Sequence, residues 1–175
     1  TSQGIHSIAI GSDAANQHQG IYSVALGDSA GKTNQGNYAI SMGTESGFIT
    51  QGDNAIAIGH SAGGVSQGKS SVAIGLNTGN FRQFEHCIAL GVSAGMRFQG
   101  QEDGFTSDTQ TGGAIALGYE AGNRAQRRDA VAVGYQAGRL RQKVGAIAIG
   151  ACAGKTNQGR AAIAIGGEAG ILVNR

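Results

Sequence analysis

The sequence predicts an all-β fold, a parallel β-solenoid built from coils of 16 residues. Three observations predict it. Strings of the Ile-Ala-Ile-Gly kind recur in register, glycine falls at fixed places between them, and one glutamine recurs in every interval. The strings end at Gly11, Gly27, Gly43, Gly59, Gly75 and Gly91, then at Gly118, Gly134, Gly150 and Gly166. Every spacing is 16 except that from Gly91 to Gly118, which is 27, one repeat plus 11 residues. Self-similarity at a fixed period is the mark of a repeat architecture, in which each unit buries its surface against its neighbours.

Positions are counted here as slots, with the glycine that ends each string as slot 0. Slot 13 is always Ile or Val, and slot 15 is always Ile, Leu, Val or Met. Slot 14 between them is Ala nine times and Ser41 once. Large, small, large is the alternation of a strand, and β-branched residues favour it. A helix is excluded because the apolar run is only four or five residues long and glycine follows twice within five. The firm strand therefore occupies slots 12–15.

A turn follows. Slot 4 is glycine in nine of ten repeats, with Ala15 the exception. A weaker strand over slots 5–8 then ends at a glutamine: Gln19, Gln35, Gln51, Gln67, Gln83, Gln99, Gln126, Gln142 and Gln158. Slot 9 closes the coil, usually with glycine but with Phe84, Arg127 and Lys143 in three repeats. The glycine slots hold 26 of the 32 glycines, so the glycine is positional. Stacked about 4.8 Å apart, about ten coils make a rod on the order of 50 Å long. Identical amides at that spacing can bond into a ladder, and an inward glutamine can satisfy turn carbonyls that would otherwise be buried unpaired.

Composition excludes several alternatives. Proline and tryptophan are absent, and only 14% of residues are charged. Collagen needs glycine at every third residue and abundant proline. Flexible linkers lack the 40% hydrophobic content seen here. No apolar run approaches the roughly 20 residues of a membrane span. The net charge of +2 does not by itself argue for nucleic acid. The expected organisation is one solenoid domain over 1–175. It carries an inserted loop at 101–113, begins and stops inside coils, and so reads as a segment of a longer fibre.

The strings Ser23-Val-Ala-Leu-Gly27, Ser71-Val-Ala-Ile-Gly75 and Asn54-Ala-Ile-Ala-Ile-Gly59 resemble the head repeats of YadA-like trimeric autotransporter adhesins. Related repeats occur in phage and large-virus fibre proteins, and the 16-residue coil with its Ala-Gly and Gln-Gly pairs looks closer to those. The resemblance implies a left-handed parallel β-roll, three chains about one axis, and an extracellular, cell-surface or virion-surface location. The residues alone leave a monomeric solenoid open. Their own argument for assembly is that the small side chains of slot 14 form a face that another backbone can approach, opposite the Ile and Val rows.

Two departures from the repeat are candidates for binding. One is the inserted loop, with Glu102, Asp103, Phe105 and Asp108, since loops on rigid scaffolds often carry function. The other is a basic cluster in successive coils: Arg124, Arg127 and Arg128, then Arg139, Arg141 and Lys143. Stacking should place these on one face, fit for an anionic glycan or other acidic surface, unless Glu120 and Asp129 pair with them. Nucleic acid is disfavoured because no aromatic platform accompanies the cluster.

Other motifs carry less. Gly27-Asp-Ser-Ala-Gly-Lys-Thr33 and Gly150-Ala-Cys-Ala-Gly-Lys-Thr156 have three residues between glycines where a phosphate-binding loop has four. Cys87 and Cys152 lie about four coils apart, near 20 Å by strand spacing, beyond the roughly 7 Å a disulfide spans. His6, His18, His60 and His86 lack metal-ligand spacing. No catalytic set, cofactor or metal site is expected. The expected function is a non-enzymatic structural and adhesive fibre segment, a homotrimer displaying a receptor-binding face. The alternative is a self-stacking filament module.

Overall fold

The computed structural model describes residues 3–101 and 112–170. Within them the chain winds as a parallel β-solenoid. Ten strands of three residues each, from Ile8–Ile10 to Ile163–Ile165, form one sheet in chain order. Six more, from Gln17–Gln19 to Arg97–Gln99, form a second sheet. Ten strands bound nine intervals, so the rod has about nine full turns.

Every strand pairs with the equivalent strand of the next coil without a register shift. Ile56, Ala57 and Ile58 face Val72, Ala73 and Ile74. The register survives the long interval: Ile88, Ala89 and Leu90 face Ile115, Ala116 and Leu117. The extra 11 residues are therefore accommodated without disturbing the stack. Past Arg97–Gln99 the second sheet continues as single bridges, from Arg97 to Arg124, Leu140 and Thr156. Strands are shorter than the sequence pattern suggests, at slots 13–15 and 6–8, because the flanking residues turn corners.

The corners explain the coil. Residues at slots 2, 7 and 11 adopt left-handed backbone, for example Ser29 (φ 54), Asn34 (φ 53) and Tyr38 (φ 56). A side chain there costs roughly 1–2 kcal/mol against ordinary backbone. The neighbouring coils hold the conformation: Ser29 N donates to Ser12 O at 2.7 Å, and Tyr38 N to Ile21 O at 2.9 Å. Each corner is thus stitched to the same corner of the coil before it. The left-handed residue at slot 7 also interrupts alternation, so slots 6 and 7 both face outward while slot 8 turns in, as in Phe81, Arg82 and Gln83.

The interior reverses the expected sidedness. The alanines of slot 14 point inward: Ala25, Ala57, Ala73, Ala89, Ala116, Ala132 and Ala148 are fully buried. They pack on the alanines of slot 3, such as Ala94, Ala121, Ala137 and Ala153. The alanine face is therefore the core, not a surface for another backbone. The Ile, Val and Leu of slots 13 and 15 point outward, and none of these 20 is buried. The reason is thickness. A coil of 16 residues brings its walls so close that only methyl groups fit between them.

The largest fully buried side chains are glutamines, Gln51, Gln67, Gln83, Gln99, Gln126 and Gln142. Each donates from Nε2 to the slot 13 carbonyl across the coil, as Gln67 does to Ile56 O at 2.8 Å. Amides also bond along the axis: Gln51 to Gln67 at 3.1 Å, Gln67 to Gln83 at 3.2 Å, and Gln83 to Gln99 at 3.0 Å. The ladder resumes from Gln126 to Gln142 and from Gln142 to Gln158. It breaks beside the insertion, where Gln126 Oε1 has no partner among the described residues. Ser41, the one exception at slot 14, donates its hydroxyl to Gln51 Oε1 at 2.7 Å. The slot 4 glycine makes room for this amide: a Cβ at Gly63 (φ 56) would lie 2.6 Å from Gln67 Oε1.

Gln67→Ala strips Ile56 O of its 2.8 Å donor and breaks the ladder on both sides. The expected loss is about 2–4 kcal/mol in urea unfolding. Exposed Ser66→Ala next to it should change stability by no more than about 0.5 kcal/mol.

Candidate functional surfaces

The two outer faces of the rod differ in kind. The face over the ten-stranded sheet is uniformly aliphatic. Its slot 13 row runs from Ile8 to Ile163 and its slot 15 row from Ile10 to Ile165, with Ile8, Ile10, Met42, Ile74, Leu90 and Ile149 among the exposed members. The face over the six-stranded sheet is varied, carrying His18, Asn34, Thr50, Arg82 and Arg97 at successive places. A regular face and an irregular one suit different tasks.

On the irregular face lies a groove of about 780 Å³. Arg97, Arg124, Arg127, Arg141 and Lys143 line it, together with Phe98, Ala125 and Leu140. The stacking brings together four of the six basic residues expected there, and it adds Arg97 and Phe98. Those two precede the insertion, so the irregular spacing of 27 hid their alignment with Arg124 and Ala125. Arg97, Arg124, Arg141 and Lys143 are exposed, and Arg127 is half-buried. Arg127 Nη1 donates to Gln101 Oε1 at 3.0 Å.

The other two basic residues go elsewhere. Arg139 Nε lies 2.9 Å from Glu120 Oε2, and Arg128 Nη1 lies 3.8 Å from Asp129 Oδ2. Glu120 and Asp129 thus hold the cations outside the groove, and no carboxylate lines it among the described residues. Like charges on adjacent coils repel and are screened over roughly 8 Å at physiological salt. The loop candidates Glu102, Asp103, Phe105 and Asp108 lie outside the described residues.

Aromatic rings also stack by coil. His6, Tyr22 and Tyr38 of slot 11 form a column with centroids 5.0 and 5.3 Å apart, and Tyr119 stacks on Tyr135 at 5.3 Å. Phe98 meets Phe81 edge to face at 5.5 Å. These pairs follow from identical register and stiffen the surface.

Both cysteines are free. Burial pushes the Cys87 thiol up to about 12, chiefly by desolvation of the thiolate, with backbone hydrogen bonds opposing. No group of three or more His, Cys, Asp or Glu that could hold a metal occurs among the described residues. Nor is any helix there long and apolar enough to cross a membrane. The glycine-lysine-threonine strings sit in ordinary corners, where Lys32 Nζ lies 3.2 Å from Asp13 Oδ2. No family model, curated protein or solved structure matches this chain.

The cysteines give a direct check of the interior. At pH 8 a thiol-reactive dye should label half-buried Cys152 and leave buried Cys87 unmodified until the chain is unfolded. The unfolded thiol titrates near 9 and the folded one near 12. Above pH 9 the unfolded chain therefore holds fewer protons, and stability should fall as pH rises through that window. Cys87→Ala should flatten that part of the stability profile.

Proposed function

We propose that this chain is a non-enzymatic segment of a surface fibre, a left-handed β-roll that assembles as a homotrimer and displays its irregular face to a receptor on a cell or virion surface. The observation that carries the assembly is the outward aliphatic face. Twenty Ile, Val, Leu and Met side chains form two unbroken rows over nine intervals, about 43 Å at strand spacing. Monomeric proteins rarely expose so continuous an apolar surface.

The best occupant for this face is another copy of the same chain. Its rows repeat at the same spacing, run the same length and carry the same residues, so parallel copies match along the whole rod. A partner of unrelated shape would need no such uniformity. Three chains about an axis would cover all the aliphatic rows and leave each irregular face outside. The number three rests on the resemblance to YadA-like heads. The closed, methyl-filled interior supports a structural role, since it offers no cavity for substrate.

Light scattering over a dilution series tests this. A constant mass of three times 17.6 kDa is expected. A monomer, or a mass that keeps growing with concentration as in a stacking filament, would overturn the proposal. Ile58→Lys with Leu117→Lys, both outward and half-buried, should dissociate the trimer while each chain keeps its β-sheet circular dichroism.

A further inference from the structure

The groove on the irregular face has two rails. Slots 6 and 7 build the first, with Arg97, Arg124 and Arg141 in successive coils. Slot 9 builds the second, with Arg127 and Lys143. Between the rails, Gln126 and Gln142 of slot 8 turn inward and are fully buried, so the surface dips. In most other coils slot 9 is glycine, and a side chain there would strike the next coil: a Cβ at Gly52 would lie 2.6 Å from Lys69 N. The second basic rail therefore exists only where Arg127 and Lys143 replace that glycine.

We infer that this trough binds a linear sulfated or carboxylated polysaccharide lying along the rod axis. The register sets Arg97, Arg124, Leu140 and Thr156 in one line across four coils. Cations thus recur at the coil spacing of about 4.8 Å along a straight path, as a chain of repeating anionic sugars requires. Guanidinium groups bind sulfate and carboxylate through paired N–H donors. Phe98, Ala125 and Leu140 give the trough apolar ground for the faces of sugar rings, while Gln101, Thr156 and Asn157 offer hydrogen bonds to hydroxyls.

Single-stranded nucleic acid fits less well. It needs successive aromatic platforms. The slot 7 line reads Phe98, Ala125, Arg141, Asn157, with one ring, and that ring already meets Phe81. The inference names the ligand class for the receptor-binding half of the proposed function and rests on that half. It does not use the trimer, because one chain builds the whole trough.

The test uses fluorescence polarisation with three probes: a sulfated oligosaccharide, the same oligosaccharide desulfated, and a single-stranded DNA oligomer of equal formal charge. The sulfated probe should bind at least tenfold tighter than either of the others at physiological salt, weakening as salt rises. Arg124→Ala with Arg141→Ala should weaken it at least tenfold. Arg128→Ala with Arg139→Ala, which removes the same charge outside the trough, should stay within twofold. Equal losses in the two double variants would overturn the inference, leaving only a net-charge effect. So would DNA binding as tight as the sulfated probe, or equal binding of the desulfated one. Mass measured on the same samples keeps the two ideas apart. A monomer that still discriminates the probes sinks the trimer alone, and a trimer that does not sinks the trough alone.

Discussion

The whole architecture depends on the thinness of the coil, and one buried amide makes that thinness tolerable. Sixteen residues closed into a loop bring two walls within methyl contact, so the core is alanine against alanine. So little apolar surface contributes modest hydrophobic stabilisation per coil. The corner carbonyls, however, are buried with the methyls and need donors. The glutamine of slot 8 supplies them, reaching across the coil to the slot 13 carbonyl and along the axis to its own copy. Backbone ladders between coils do the rest, and they hold even left-handed corners that would be unfavourable alone.

Thinness also decides the outside. Side chains too large for the interior must point away from it. The strands alternate, so alanine inside puts Ile, Val and Leu outside on both neighbours. The result is a rod whose core is small and polar and whose broadest face is aliphatic. That inversion is the feature that makes a chain of this kind depend on partners, since its large apolar side chains gain burial only through another surface.

Local exceptions to the repeat sit where they alter the surface and spare the core. Ser41 enters the alanine column and finds a glutamine oxygen. Arg127 and Lys143 replace a corner glycine and raise a wall beside a buried glutamine. The extra residues before Ile115 leave the strand register intact. Each change keeps the hydrogen-bonded frame and varies what projects from it, a usual relation between scaffold and binding residues.

The 16-residue period, the parallel stacking, the glutamine column and the corner glycines were all legible in the sequence, because each is set by local chemistry repeated in register. The basic cluster was legible in part: Arg124, Arg127, Arg141 and Lys143 share a groove, but Glu120 and Asp129 draw Arg139 and Arg128 away. Arg97 and Phe98 were hidden by the irregular spacing. Left-handed corners at residues such as Tyr22, Arg82 and Phe98 carry little signal, since the neighbouring coils impose them. Which side of the strand faces in was decided only by the tertiary structure. Alternation says that alanine and isoleucine lie on opposite faces. Only the distance between the walls of a closed coil says that the alanine must be the one inside.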